Sequence, residues 1–178
     1  MKKYVFSNGI KVNYVKREGN LSSFCIGFNA GALVEEEGEI GLAHAVEHML
    51  FKGTKKRNEN EINIECDEVF GFHNAMTNYP YAIYYGTTLS SDFQKGFELY
   101  SDIILNPIFP KEGFKEEMDI ILEELKEWKD DPYQDCEDEL FFNAFNKRRI
   151  KELIIGKEES IKAITLEDIK RFYNKHYA

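Results

Sequence analysis

The chain has 178 residues, 43% of them hydrophobic and 14% aromatic, enough to fill the core of one domain spanning residues 1–178. Its net charge of −9 is spread over both halves, and its lysines and arginines form no face-long basic stripe, so nucleic acid is excluded as an expected partner. No apolar run approaches the roughly 20 residues that cross a membrane, so no membrane partner is expected either.

The first residues, Met1-Lys2-Lys3-Tyr4-Val5-Phe6, carry the charge of a leader but break after three apolar positions, and a cytoplasmic address is expected. The cysteines Cys25, Cys66 and Cys136 are odd in number and form no Cys-x-x-Cys pair; they are read as buried thiols. Val5-Phe6 and residues 10–15 flank Asn8-Gly9, which supplies the positive φ angles of a tight hairpin. Residues 21–30 alternate through Phe24, Ile26 and Phe28 and predict a further strand. Glu35-Glu36-Glu37-Gly38-Glu39 reads as a solvated polar turn whose acidic end suits the dipole of the helix that follows.

That helix contains Gly41-Leu42-Ala43-His44-Ala45-Val46-Glu47-His48-Met49-Leu50-Phe51, with two of the four histidines one turn apart. At about 100° per residue, His48 lies about 40° to one side of His44 and Glu47 about 60° to the other, so all three side chains leave one face. Two neutral imidazoles so placed can reach one tetrahedral metal, and the carboxylate beside them can take a proton from water activated there. The order His-x-x-Glu-His is that of the inverted zincins. The pattern leaves a third ligand to be found.

Beyond a loop at 52–58, whose Lys55-Lys56-Arg57 cluster reads as solvated, residues 59–70 carry Ile62, Cys66 and Val69 at helical spacing, and Gly71 is placed to end that helix. Residues 72–77 and 81–89 read as neighbouring antiparallel strands. Ser90-Ser91-Asp92 starts a helix with a predicted buried stripe of Phe93, Phe97, Tyr100 and Ile104, stopped by Asn106-Pro107. The helix at 111–128 steps through Phe114, Met118, Ile121, Leu125 and Trp128. Glu117 and Glu124 share a face at the margin of that stripe, where carboxylates are costly unless a cation or hydrogen-bond donor meets them, whereas Glu123 points to water. Asp131-Pro132 opens another helix, predicted to bury Leu140, Phe141 and Phe145. A basic linker, Lys147-Arg148-Arg149, leads to Leu153-Ile154-Ile155 and Gly156, and Thr165-Leu166-Glu167-Asp168 resembles the capping box of a last helix.

Strands, a metal-motif helix, two more strands and then a run of helices predict an α+β fold, a two-layer α/β sandwich with an antiparallel-rich sheet covered by helices. With these elements in place, the sequence resembles the pitrilysin/insulinase family of zinc metallopeptidases, which includes the mitochondrial processing peptidases. The resemblance runs through Ser7-Asn8-Gly9-Ile10, residues 41–54, Asn74-Ala75-Met76-Thr77, Tyr84-Tyr85, Glu123-Glu124, Asp131-Pro132, residues 156–161 and Phe172-Tyr173.

The resemblance implies an N-terminal, metal-bearing peptidase domain holding one Zn2+ per chain. Its third ligand comes from a glutamate well downstream of the second histidine, and Glu124 stands at that spacing; the helix-face reading also prefers it to Glu123. Glu117 matches a glutamate that supports the metal site from behind. Asn74, with the backbone around Ala75, matches a site that holds a peptide substrate as an added β-strand. Glu47 would be the general base of zinc-dependent peptide hydrolysis.

The sequence departs from the family at Pro80, where a glutamate is usual, and at Arg148-Arg149-Ile150-Lys151. Relatives also continue beyond Ala178 and add a second, similar half that closes a chamber over the zinc. A partner is therefore expected: a second homologous domain, a subunit or a homodimer mate. Two rival readings remain, a non-catalytic interaction domain of a peptidase-like complex and an S-ribosylhomocysteine lyase-like metalloenzyme with Cys136 as third ligand. His73 reads as a strand histidine facing solvent or core, and His176 as a cation at a helix end.

Overall fold

The computed structural model describes residues 1–146 and 149–177. Lys147 and Arg148 of the basic linker, and the terminal Ala178, lie outside the described residues. Strands β1 (Lys2–Val5) and β2 (Lys11–Tyr14) form an antiparallel pair of their own, with every residue exposed. Strands β3 (Leu21–Phe28), β4 (Phe70–Thr77) and β5 (Ala82–Leu89) form an antiparallel sheet in the order β3-β5-β4. The helices are α1 (Leu42–Leu50), α2 (Glu59–Val69), α3 (Phe93–Leu105), α4 (Phe114–Lys129), α5 (Pro132–Ala144), α6 (Glu158–Ala163) and α7 (Leu166–His176). Short 3-10 turns cover Ala32–Val34 and Arg149–Lys151. This is the two-layer α+β arrangement expected, with an antiparallel sheet and helices packed on one face of it. No helix among the described residues is long and apolar enough to cross a membrane.

Helix α1 sits at the centre. Leu42, Ala43, Ala45, Val46, Met49 and Leu50 are all buried, and the helix packs against α4, α7 and β4. Burying each of the larger side chains contributes about 1.5–3 kcal/mol, and Leu50→Ala, which also leaves a cavity, costs about 2–5 kcal/mol. Only the face bearing His44, Glu47 and His48 remains partly open. Gly41 caps the helix at φ 90°, and a Cβ there would lie 2.7 Å from the carbonyl oxygen of Ile155. The segment around Ile155 therefore seats directly on the first turn of α1, which a larger residue at position 41 would prevent.

Alternation in β3 places Phe24, Ile26 and Phe28 toward the helices and leaves Leu21, Ser23 and Cys25 exposed on the other face. Asn58 and Glu61 form a reciprocal capping box at the start of α2, and Thr165 and Asp168 do the same for α7 as predicted.

Several expectations are corrected. Gly71 does not end α2; the helix stops at Val69 and the chain passes straight into β4, with Gly71 inside a register shift between Phe70 and Phe72. The buried stripe of α3 is Leu99, Tyr100, Ile103 and Ile104, while Phe97 is exposed and stacks on Phe93. Among the described residues helix α5 buries none of its own, and Leu140 is 62% exposed, because the helix packs mainly on α4 and the Arg149–Lys151 turn, with Phe141 set edge-on against Tyr79. Cys66 is buried, but Cys25 and Cys136 are exposed.

Candidate metal centre

One turn of α1 and the facing side of α4 bring three ligand atoms together. His44 Nε2 lies 3.3 Å from His48 Nε2, and Glu124 Oε2 is 3.4 Å from His48 Nε2 and 3.8 Å from His44 Nε2. Ligands about 2.0–2.1 Å from a tetrahedral zinc stand about 3.3–3.4 Å from one another, so the three atoms fit a single ion. Glu123, one residue earlier, turns away to pair with Lys126 and is 69% exposed. Among the described residues, His44, His48 and Glu124 are the group whose ligand atoms converge in this way, and Cys136 is not part of it.

The atoms behind the ligands also suit a cation. His48 Nδ1 is 2.8 Å from Glu117 Oε1, a contact to which the ring N–H donates, and this leaves Nε2 as the nitrogen turned toward His44 and Glu124. Glu117 is buried, and its other oxygen meets the ammonium of Lys52, which also pairs with Glu59 at 2.7 Å. Burial would lower the His48 pKa, but Glu117 and Glu124 outweigh it and raise that imidazole to about 9. Burial, with the charge of His48 beside it, pushes His44 down to about 4. The pocket thus gathers negative charge around one positive centre, the condition a divalent ion satisfies. His44 Nδ1 is buried with no hydrogen-bond partner among the described residues, so His44 is held by packing, unlike His48.

Glu47 opens into the same space. Its Oε2 accepts a hydrogen bond from Thr77 Oγ1 on β4, and burial raises its pKa although Thr77 opposes the shift. A cleft of about 500 Å³ on one side is lined by His44, Glu47, His48, His73, Ala75 and Glu117, among others. A second of about 470 Å³ on the other side shares His44 and Glu47 and is walled by Thr77, Tyr79, Trp128 and Phe141. Strand β4, an edge of its sheet, runs between them. Asn74 and Ala75 both line the first cleft, and Asn74 Oδ1 accepts the Ala75 backbone N–H at 2.9 Å, so that N–H faces the open edge rather than β5.

Sequence reasoning missed four contributors. Glu35 was read as solvated, yet its side chain has no exposure. It accepts the backbone N–H of Ala43 at 2.9 Å and of Gly41 at 3.3 Å, and it pairs with Arg149. Burial pushes Glu35 up to about 7 against the opposing pull of Arg149 and those amides. Arg149, read as part of a linker, also donates to the carbonyls of Glu152 and Leu153. Lys52 and Thr77 are the other two; both lie within stretches that carry the family resemblance, but nothing local to either assigns it a partner.

Arg57, within the cluster read as solvated, is largely buried between Glu65 and Asp102. His73 bonds to the Tyr100 hydroxyl at 2.9 Å in the cleft wall. His176 stands in the last turn of α7, as expected, and packs on Phe172, where burial lowers its pKa.

This combination of an α+β layer and a His-x-x-Glu-His helix facing a glutamate defines a metallopeptidase-like domain. The match to the family model described as Insulinase (Peptidase family M16) extends over residues 11–158, and the chain belongs to that family. It is 34% identical over 148 residues to an uncharacterized zinc protease of Rickettsia bellii, covering 83% of this chain and 36% of that protein. It is 34% identical over 177 residues to the mitochondrial-processing peptidase subunit beta of Dictyostelium discoideum, covering 96% of this chain and 37% of the relative. The chain thus spans little more than a third of these relatives.

Among solved structures, a protease from Helicobacter pylori superposes with a TM-score of 0.89 at 25% identity, over 99% of this chain and 43% of the other. A domain from Pseudomonas fluorescens described as an inactive peptidase M16 domain superposes with a TM-score of 0.85 at 20% identity, over 96% and 42%. The fold alone therefore does not carry activity; the side chains on it must.

Proposed function

We propose that this chain is the zinc-bearing part of a metalloendopeptidase, with His44, His48 and Glu124 as ligands and Glu47 as general base. The observation that supports it most is the convergence of the three ligand atoms at 3.3, 3.4 and 3.8 Å on the partly open face that also bears Glu47. A zinc ion held there supplies Lewis acidity, polarising a scissile carbonyl and lowering the pKa of the attacking water.

The chain's own residues do the rest. Thr77 occupies Glu47 Oε2, which leaves Oε1 to receive the water proton and pass it to the leaving amine. Glu117 orients His48 through Nδ1. The edge of β4 at Ala75 offers backbone groups to an extended peptide, and Asn74 releases the Ala75 N–H when such a strand pairs there. Both clefts stay open to solvent on this chain, and the relatives are much longer. A second homologous domain or subunit therefore belongs to the proposal, closing the site over the peptide.

The test is Glu47→Gln. In a preparation in which wild type turns over, the variant keeps zinc and loses peptide cleavage by about 100-fold or more; retained cleavage there contradicts the assignment of the base. The purified chain alone is expected to cleave weakly or not at all, and robust turnover by the isolated monomer contradicts the need for a partner.

A further inference from the structure

Resting on the zinc-site reading, we propose that Lys52 is a positioning residue of that site, holding the Glu117 carboxylate in the orientation that fixes His48 for the metal. Lys52 follows directly on the end of α1, yet its side chain is only 12% exposed. It lies where Glu117 of α4 and Glu59 of α2 converge, and it pairs with both. Glu117 is 7% exposed and divides its two oxygens between Lys52 and His48 Nδ1. The line of contact runs Glu59, Lys52, Glu117, His48, with charge alternating along its first three members.

The backbone holding Lys52 is fixed independently of the metal site. Gly53 bridges to Asn58 and Thr54 to Pro107, and the Ile108 N–H donates to the Gly53 carbonyl at 3.1 Å. The Thr54 hydroxyl donates to the buried Asp102 at 2.8 Å and accepts the backbone N–H groups of Lys56 and Arg57. A lysine on such a loop has little freedom in where its ammonium lies. Without that ammonium, Glu117 would be a buried carboxylate whose second oxygen lacks its cation. It would then relax toward solvent or rotate on its own axis, and His48 would lose its fixed partner. Partners of metal-bound histidines at this remove typically change metal affinity by about 10–100-fold when mutated.

The experiment measures zinc affinity by competition with a chromophoric chelator, in the full chain freed of metal, for wild type, Lys52→Met, Lys52→Arg and Glu59→Gln. Methionine keeps the apolar stem and removes the charge. The expected result is a weakening of about tenfold or more in Lys52→Met, recovery to within about threefold of wild type in Lys52→Arg, and a smaller loss in the half-exposed Glu59→Gln. The 15N–1H signal of His48 Nδ1 in the zinc-bound protein separates positioning from mere stabilisation: it is sharp and hydrogen-bonded in wild type and exchange-broadened in Lys52→Met.

Unchanged affinity with an unchanged His48 signal in Lys52→Met overturns the proposal. Should Lys52→Met not fold, unchanged affinity in Glu59→Gln overturns it. Failure of wild type to bind zinc contradicts the metal-site reading itself and is distinguishable from both results.

Discussion

Glu35 and Arg149, 114 positions apart, meet in a buried ion pair beneath the first turn of the helix that bears His44 and His48. Glu35 also accepts the amides of Gly41 and Ala43, so one carboxylate ties the helix N-terminus to the segment that carries Ile155. This satisfies donors that open the helix and places negative charge at its positive end.

Removing one side of this pair is expected to be severe. Arg149→Met leaves Glu35 buried without its cation, and the expected loss is about 3–5 kcal/mol by urea unfolding at pH 8. The pH dependence has a definite sign. Burial already raises Glu35 to about 7 in the folded chain, above its unfolded value of about 4.3. A group so raised stabilises fully below the unfolded pKa, and that contribution is lost as pH rises through the folded one. Loss of Arg149 raises it further, so the deficit of the variant is larger at pH 8 than at pH 5. An equal deficit at both would contradict the pairing.

Asp102 gives the opposite slope. Burial alone would raise its pKa, but donors from Thr54 at 2.8 Å, Arg57 at 2.7 Å and Asn106 at 3.0 Å outweigh burial and hold it below the usual range. A depressed carboxylate contributes stability above its unfolded pKa of about 3.9 and loses it as pH falls through the folded value. Asp102→Asn is therefore expected to destabilise at pH 7 by about 1–3 kcal/mol and to converge on wild type only as pH falls below the depressed folded pKa, as read by thermal unfolding across the acid range.

Thr77→Val tests the orientation of the base. The methyl group fills the space of the hydroxyl but cannot donate to Glu47 Oε2. Zinc content should be unchanged, and peptide cleavage should fall by about tenfold in any preparation where wild type turns over. Lost zinc with a parallel loss of cleavage would show that Thr77 supports the ligands instead.

The metal helix was legible because its chemistry is local: two histidines and a glutamate within five positions share one face whatever surrounds them. Glu124 was legible for a different reason, since the helical face admitted it over Glu123 and a family spacing selected it. Glu35, Lys52 and Arg149 were not, because a charged residue in a loop looks solvated until a partner far along the chain arrives. Arg57 illustrates the same point through Asp102, 45 positions away. The exposure of Cys25 and Cys136 was also hidden, since thiols are buried by habit and only the uncovered sheet face and the unburied helix α5 expose these two. Helix α5 forms where Asp131-Pro132 predicts it, but the burial expected of Leu140, Phe141 and Phe145 is not met, because apolar spacing marks a packing face without supplying the element that covers it.

Zinc stoichiometry after loading and desalting tests the central claim most directly. Wild type and Glu123→Ala are predicted to retain one zinc per chain, and Glu124→Ala to lose it. Retention by Glu124→Ala together with loss from Glu123→Ala, or no zinc bound to wild type, would contradict the account.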